Sequence, residues 1–405
     1  MSNASLKPPA GSPSLFGASR YIVAVSALAI SLLPVLAVLG QSPPTTDSSS
    51  STQDRVNSHL WWPTKGTIPF EAFAGDSACG ECHSKKTTSQ LTTPMAQAAV
   101  RLPQRAPSSK IVAATLQSGP YLYRVSSDQS GSRLAVSSGK QSITANIAWI
   151  FGAGVHGQTY ILDHDATFYE SQVSRFAALN GMDITPGHAP VDAGNLKNAL
   201  GEQLSTSAAA RCFGCHTTYS TTNSKFDASR AVPGIHCEQC HGPGVAHIDS
   251  IHADERSQAL NAILNPADLS PVESVDFCGA CHRTTVDVVE STEAYGPINV
   301  RFQPYRLEKS RCWGIAGDAR LTCIACHNPH EPLVHDASSY DKRCLACHAE
   351  RRRELQGHDT TPAVCPVATA NCTSCHMPKS DVPGMHAKFT DHFIRVVRSG
   401  ESYPN

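Results

Sequence analysis

Aromatic residues are scarce in this 405-residue chain, where Phe, Trp and Tyr together make up 6%. The 27 glycines and 27 prolines also break it repeatedly, so little material remains for one large ring-packed core. An excess of one charge is missing too. Against 33 Lys and Arg stand 34 Asp and Glu, a formal net charge of −1, and no basic surplus points to nucleic acid as a partner. No strand–helix–strand alternation surrounds a lone Cys-x-x-Cys, which excludes a thioredoxin-like redox fold. Beyond its short cysteine motif the sequence shows no internal repeat.

Cysteine and histidine are plentiful, with 16 and 19 copies. Fourteen of the cysteines lie in seven Cys-x-x-Cys-His pentads. These are Cys79, Cys82 and His83; Cys212, Cys215 and His216; Cys237, Cys240 and His241; Cys278, Cys281 and His282; Cys323, Cys326 and His327; Cys344, Cys347 and His348; and Cys372, Cys375 and His376. This spacing attaches c-type haem. Two thiols form thioethers to the porphyrin vinyl groups, and the adjacent imidazole turns under the iron as its proximal ligand. Zinc knuckles need a second knuckle or a histidine pair, not a histidine locked behind every second cysteine. Structural disulfides have no use for that histidine. The implied cofactor is haem c, seven copies, covalently bound.

Six pentads crowd between Cys212 and His376, 165 residues, or about 27 per pentad. So short a stretch cannot wrap a separate apolar core around each cofactor. The porphyrins are expected to supply much of the buried surface, and the apoprotein to be largely unfolded, because ligation and folding are coupled.

Residues 1–40 read as a signal peptide or N-terminal anchor. Lys7 and Arg20 precede an apolar run from Tyr21 to Leu39, and Val38 and Gly40 suit cleavage before Gln41. The run approaches the roughly 20 residues that span a bilayer, so anchoring in the inner membrane through residues 21–39 is the alternative. Either way the body is expected outside the cytoplasm, periplasmic or secreted. There the remaining cysteines, Cys312 and Cys365, could oxidise to a disulfide.

A flexible Ser/Thr/Pro-rich linker is expected at 41–70, a first haem segment at 71–105, a β-rich segment at 106–190 and a haem-rich domain at 191–405. The β-rich segment reads as five strands, Ile111–Leu116, Tyr121–Val125, Arg133–Val136, Ile143–Ile150 and Gln158–Leu162, separated by turn residues. Helices are expected at Asn195–Leu204 and Ala253–Leu264. The fold class is α+β: a haem-packed, mainly α and irregular body with a small antiparallel sheet between the first and second pentads.

Seven histidines are proximal, and twelve remain as candidate second axial ligands. His330 follows proximal His327 by three residues and cannot reach the far face of the same porphyrin, so it points to a neighbour's iron. His236, directly before Cys237, faces the same limit. His188, His247, His386 and His392 sit beside turns that could aim them, and His156, within the β-rich segment, is a further candidate. His59, His164, His252, His335 and His358 lie in polar settings and read as solvent-exposed. Met95, twelve residues after His83, is a candidate thioether ligand to the first iron; ordinary packing is the other use of methionine.

The segments CEQCHGPGVAH and CIACHNPH resemble those of the multihaem cytochrome superfamily that contains hydroxylamine oxidoreductase, pentahaem nitrite reductase and the tetrahaem electron carrier of ammonia oxidisers. The carrier branch is the nearest in pattern. Its Ser/Thr-x-His-Ala ligand stretch after the first pentad reads here as Thr93-Pro94-Met95-Ala96, with methionine in the ligand slot. The Cys-x-x-Cys-Lys that marks the open haem of the nitrite-reductase relatives does not occur. Enough candidates exist to close all seven irons by bis-histidine or histidine–methionine ligation. The expectation is therefore electron transfer between redox protein donors and acceptors, since transfer favours two firm ligands and catalysis needs a vacant one. The rival is an oxidoreductase acting on a small nitrogen or sulfur oxyanion at one five-coordinate haem. A third reading is an oligomeric or filament-forming subunit.

Overall fold

The computed structural model describes residues 68–398 and Gly400, apart from 105, 107, 193–194, 224, 291–295, 314–320 and 349–364. The apolar run 21–39, most of the 41–70 linker, His59 and His358 lie outside the described residues. Among the described residues no helix is long and apolar enough to cross a membrane.

An antiparallel meander dominates the N-terminal half. Its strands are β1 (Ala99–Arg101), β2 (Ala114–Ser118), β3 (Tyr121–Asp128), β4 (Gly131–Ser138), β5 (Gln141–Phe151), β6 (Gly157–His164), β7 (Thr167–Phe176), β8 (Gly181–Ile184) and β9 (Gly201–Gln203). The order is β2-β3-β4-β5-β6-β7-β8, with β1 added to β5 and β9 to β7. All five expected strands are present, most of them longer; β7 and β8 add two more within 106–190, and β1 and β9 extend the sheet beyond it. Alternation puts Tyr121, Tyr123, Val125, Leu134, Val136, Tyr160, Leu162 and Val173 on one face, all at most 2% exposed.

A bulge in β5 decides what the other face can do. The register shifts between Ile147 and Trp149, and one extra residue reverses which face the following side chains take. Ala145, Ile147 and Ile150 therefore join the first core, while Trp149 and Phe151 join a second one. That second core is completed by Phe213 from the Thr206–His216 helix, at 5.1 Å from Trp149 and 5.0 Å from Phe151, both edge-on. The residue directly after the first cysteine of the CFGCH pentad thus docks the second attachment helix on the sheet.

Two helix expectations are shortened. Asn195–Leu204 is helical only over Leu196–Leu200 and then enters β9, because Gly201 sits at φ 150° with its Cα against the Glu170 carbonyl. A Cβ there would lie 2.0 Å from that oxygen. Ala253–Leu264 is helical only over Arg256–Asn261. The C-terminal half is short helices and turns, and its longest helix, Pro271–His282, starts from a Ser270/Glu273 capping box with Pro271 in the first turn. A hairpin, Lys379–Val382 with Ala387–Thr390, follows the last pentad. Helices and an antiparallel sheet together make the α+β fold.

Candidate metal centres

Residues i, i+3 and i+4 share one face of a helix. A helical Cys-x-x-Cys-His turn therefore points both thiols and the imidazole the same way. Six pentads lie in helices: Asp76–Gln90, Thr206–His216, Cys237–His241, Pro271–His282, Asp341–His348 and Cys372–His376. Five of these helices end at the histidine, and in Asp76–Gln90 the backbone kinks at His83 (φ −108°, ψ 35°). The remaining pentad, the fifth in the chain, is a 3-10 turn, Cys323–Ala325, whose Cys323 carbonyl accepts the His327 N–H at 3.0 Å. The donor set is the one that covalent haem requires.

Backbone carbonyls orient three of the pentad imidazoles. His216 Nδ1 meets Ala98 O at 3.1 Å, His241 Nδ1 meets Leu264 O at 2.8 Å and His376 Nδ1 meets Arg395 O at 2.8 Å. A carbonyl can only accept, so Nδ1 carries the proton and Nε2 keeps its lone pair for a metal. Phe151 stacks on His216 at 4.7 Å and 3°, which fixes that ring further. Three buried donors, Arg301 Nε, Trp313 Nε1 and Arg395 Nε, lack a hydrogen-bond partner among the described residues. Donors of that kind suit the propionates of a bound haem.

Two proximal histidines face a second histidine from another segment. His241 and His330 have ring centroids 5.8 Å apart at 14°, and His327 and His392 are 6.1 Å apart at 40°. Two metal–nitrogen bonds of about 2 Å plus the half-width of each ring put trans imidazoles roughly 6 Å apart. His330 is thus beside the third pentad, not its own fifth one. Burial, reinforced by Lys86, pushes the His330 pKa down, and burial with neighbouring His327 pushes His392 down to about 4. Both rings are neutral at pH 7, as a ligand must be. His392 Nδ1 meets Thr390 O at 3.1 Å and His247 Nδ1 meets Ala259 O at 2.8 Å, leaving Nε2 with its lone pair in each.

Other candidates have different partners. His236 gives Nδ1 to Asp76 and Nε2 to Pro233 O at 2.8 Å. Burial would lower its pKa, but the Asp76 carboxylate outweighs this and raises it, and with Asp76 on one nitrogen and Pro233 O on the other, neither is turned to a proximal ring. His188 lies in a cleft of about 520 Å³ with Tyr169, Lys197 and Gln203, its nitrogens 3.1 Å from Gln172 Oε1 and 3.4 Å from Glu170 Oε2. Glu202 completes a Glu170–His188–Glu202 group there. His386 Nε2 meets Asp183 at 2.8 Å, and His156 packs on Phe389 at 4.8 Å. Both tie the C-terminal hairpin to the sheet region instead of facing a proximal ring. Met95 is half-buried, and its carbonyl accepts the Ile235 N–H at 2.9 Å, which draws it to the approach of the third pentad. Of the histidines read as exposed, His252 and His335 are exposed and His164 is half-buried.

The expected Cys312–Cys365 disulfide is absent, and both thiols are free. Cys312 lies among Cys344, Cys326 and Cys347, whereas Cys365 lies beside His376. What the sequence did not reveal is contact between pentads. Thiols meet in four pairings, Cys79 with Cys237, Cys215 with Cys281, Cys278 with Cys323, and Cys344 with Cys372.

The family described as cytochrome c554 and c-prime matches residues 187–242, the stretch holding the second and third pentads. This supports a multihaem c-type cytochrome. Among solved structures the chain is similar to the crystal structure of the outer cell wall cytochrome OcwA, at 18% identity over 80% of each chain with a TM-score of 0.44. No curated protein matches its sequence.

Proposed function

We propose that this chain is a heptahaem electron-transfer protein working between redox partners outside the cytoplasm. Haem iron supplies one-electron chemistry. The chain's own residues would do the rest: fourteen pentad cysteines attach seven groups, seven pentad histidines bind one side of each iron, and second-segment histidines close the other side. The observation that carries this reading is the pair of neighbouring rings, His241 with His330 and His327 with His392, each close enough that the two imidazoles would be able to hold one iron between them. A closed iron keeps its ligands on changing charge, which favours transfer over substrate binding. Thiol contacts that gather the attachment points into three groups, pentads one with three, two with four and five, and six with seven, support close spacing within each group. The extracytoplasmic setting rests on covalent haem attachment and on the export-like run Tyr21–Leu39.

The test is a reductive titration of the purified holoprotein followed by optical and paramagnetic spectroscopy, with carbon monoxide added at the end. Seven low-spin haems that take up no carbon monoxide are expected. His330→Ala should turn the haem at Cys237 and Cys240 high-spin, and His392→Ala the haem at Cys323 and Cys326. A high-spin haem that takes up carbon monoxide in the unmodified protein would instead favour the oxidoreductase.

A further inference from the structure

Two of the four thiol pairings are built by the same device. In the first pentad an aspartate stands three residues ahead of the first cysteine, Asp76-x-x-Cys79, and in the sixth the pattern recurs as Asp341-x-x-Cys344. Each aspartate opens its own helix, yet each carboxylate turns outward to another pentad. Asp76 Oδ1 accepts the Cys237 N–H at 3.4 Å. Asp341 Oδ1 accepts the Cys372 N–H at 2.8 Å, and its Oδ2 accepts the Asn371 N–H at 2.7 Å.

The receiving segments have no cap of their own. Cys237–His241 begins after His236 and Cys372–His376 after Asn371, and neither preceding side chain caps its turn. The first amides of a helical turn need acceptors, and a carboxylate there also favours the local dipole. In both cases the acceptor comes from a different pentad. It arrives where the first cysteines of the two pentads touch, Cys79 with Cys237 and Cys344 with Cys372. In the first pair the exchange runs both ways: Glu238 Oε1 and Oε2 accept the Ala74 and Gly75 N–H groups at 2.7 and 2.8 Å. The second and fourth pentads, which also touch, have Ala209 and Val275 at the corresponding position and are joined without the staple.

We infer that Asp76 and Asp341 are positioning residues, each stapling two attachment segments into one two-haem unit, pentads one with three and six with seven. The signature Asp-x-x-Cys-x-x-Cys-His marks which pentads carry the staple. The role is to hold the thioether-bearing faces of the two segments against each other, so that each unit moves as one body. This rests on haem attachment at the pentads, and the experiment separates the two claims.

Holoprotein bearing Asp341→Ala is compared with the unmodified protein by intact mass, amide hydrogen exchange and paramagnetic spectroscopy. Seven haems by mass in both would sustain attachment; fewer haems in the unmodified protein would overturn the reading beneath the inference and not the staple. With the staple in place as described, exchange at Asn371 and Cys372 rises roughly ten-fold in the variant, the size of effect known for a lost cap. Exchange at Cys237 stays unchanged, and only the signals of the haems at Cys344 and Cys372 alter. Asp341→Asn, which keeps one acceptor oxygen, should restore part of the protection and serves if the alanine variant fails to mature. Asp76→Ala should do the converse, loosening Cys237 and sparing Cys372. Unchanged exchange at Asn371 and Cys372, or an equal rise in both units, would overturn the staple.

Discussion

The sheet and the pentad-bearing half of this protein are stabilised by different means. In β2–β8 alternating side chains converge on one continuous apolar cluster, from Tyr121 through Val173 to Leu200. Beyond residue 240 the apolar clusters shrink to Phe277 with Ala280 and to Val288 with Tyr305. Buried ions and crossed hydrogen bonds appear there in their place: Arg306 with Asp391, Asp341 with Cys372, and His376 with Arg395. The unpartnered buried side-chain atoms follow the same division. All of those found, on Gln90, Arg301, Gln303, Trp313 and Arg395, lie outside the sheet. One half is finished by its own side chains; the other has the surface and donors of a structure completed by its cofactors.

The largest effect should follow from removing those cofactors. A chain with the pentad cysteines replaced by alanine is expected to keep slow amide exchange across β2–β8 while residues 237–398 exchange rapidly and are cut by protease. The physical reason is that haem-coupled folding energy is concentrated in the second half, which holds five of the seven pentads. Uniform loss of protection across both halves would erase the distinction between them. Uniform retention would show that the short helices need no porphyrin.

The sheet was more legible than the metal centres, and particular residues show why. Strands such as YLYRV and ITANIAWI advertise themselves by β-branched and aromatic side chains between glycine turns. Strand β7, TFYESQVSRF, does not, because its interior includes polar side chains. Ser171, Gln172 and Ser174 are buried, satisfied by contacts such as Ser174 with Thr185 at 2.8 Å and Gln172 with Ala189 O at 2.7 Å. The pentads name the cysteines and proximal histidines outright, since their chemistry is local. The outer histidines depend on distant residues. Nothing near His236 announces Asp76, 160 positions away, and nothing near His386 announces Asp183. By contrast, the three-residue spacing of His330 from His327 is local, and the structure sets His330 beside His241.

Smaller effects should separate the halves by mechanism. Arg306 and Asp391 are both fully buried, joined by bonds of 2.8 and 2.9 Å, and Asp391 also takes Arg395 at 2.7 Å. Arg306→Ala strands a buried carboxylate and is expected to cost about 3–5 kcal/mol. It should also disturb the low-spin signal of the haem at Cys323, because Asp391 adjoins His392. Burial alone would raise the Asp391 pKa, but Arg306 and the Phe393 amide outweigh it and hold it below the usual range. A depressed folded pKa gives stability that is present above the unfolded value near 4 and lost as pH falls through the folded one. The clamp should therefore loosen only in strong acid, seen as accelerated exchange at Phe393 and Ile394. In the sheet, Leu134→Ala should cost about 2–5 kcal/mol through a cavity and leave every haem signal in place. A shifted haem spectrum in that variant would mean the two halves are mechanically coupled.

The smallest effect is expected where the pentad half is most densely hydrogen-bonded. Glu238 is 1% exposed and accepts from Ala74, Gly75 and Gly244 N–H groups at 2.7–2.8 Å, besides the Tyr219 hydroxyl. Tyr219→Phe removes one donor of four and leaves the ring between Phe70 and Phe73, whose centroids are 5.8 and 4.5 Å away. Because three amides still serve the carboxylate, the loss should be about 1 kcal/mol, the net worth of one hydrogen bond. Thermal unfolding of the holoprotein would measure it. A loss several times larger would show that the hydroxyl, more than the amides, keeps the buried charge in place. The first and third pentads would then depend on a single contact where the sheet spreads its stability over many.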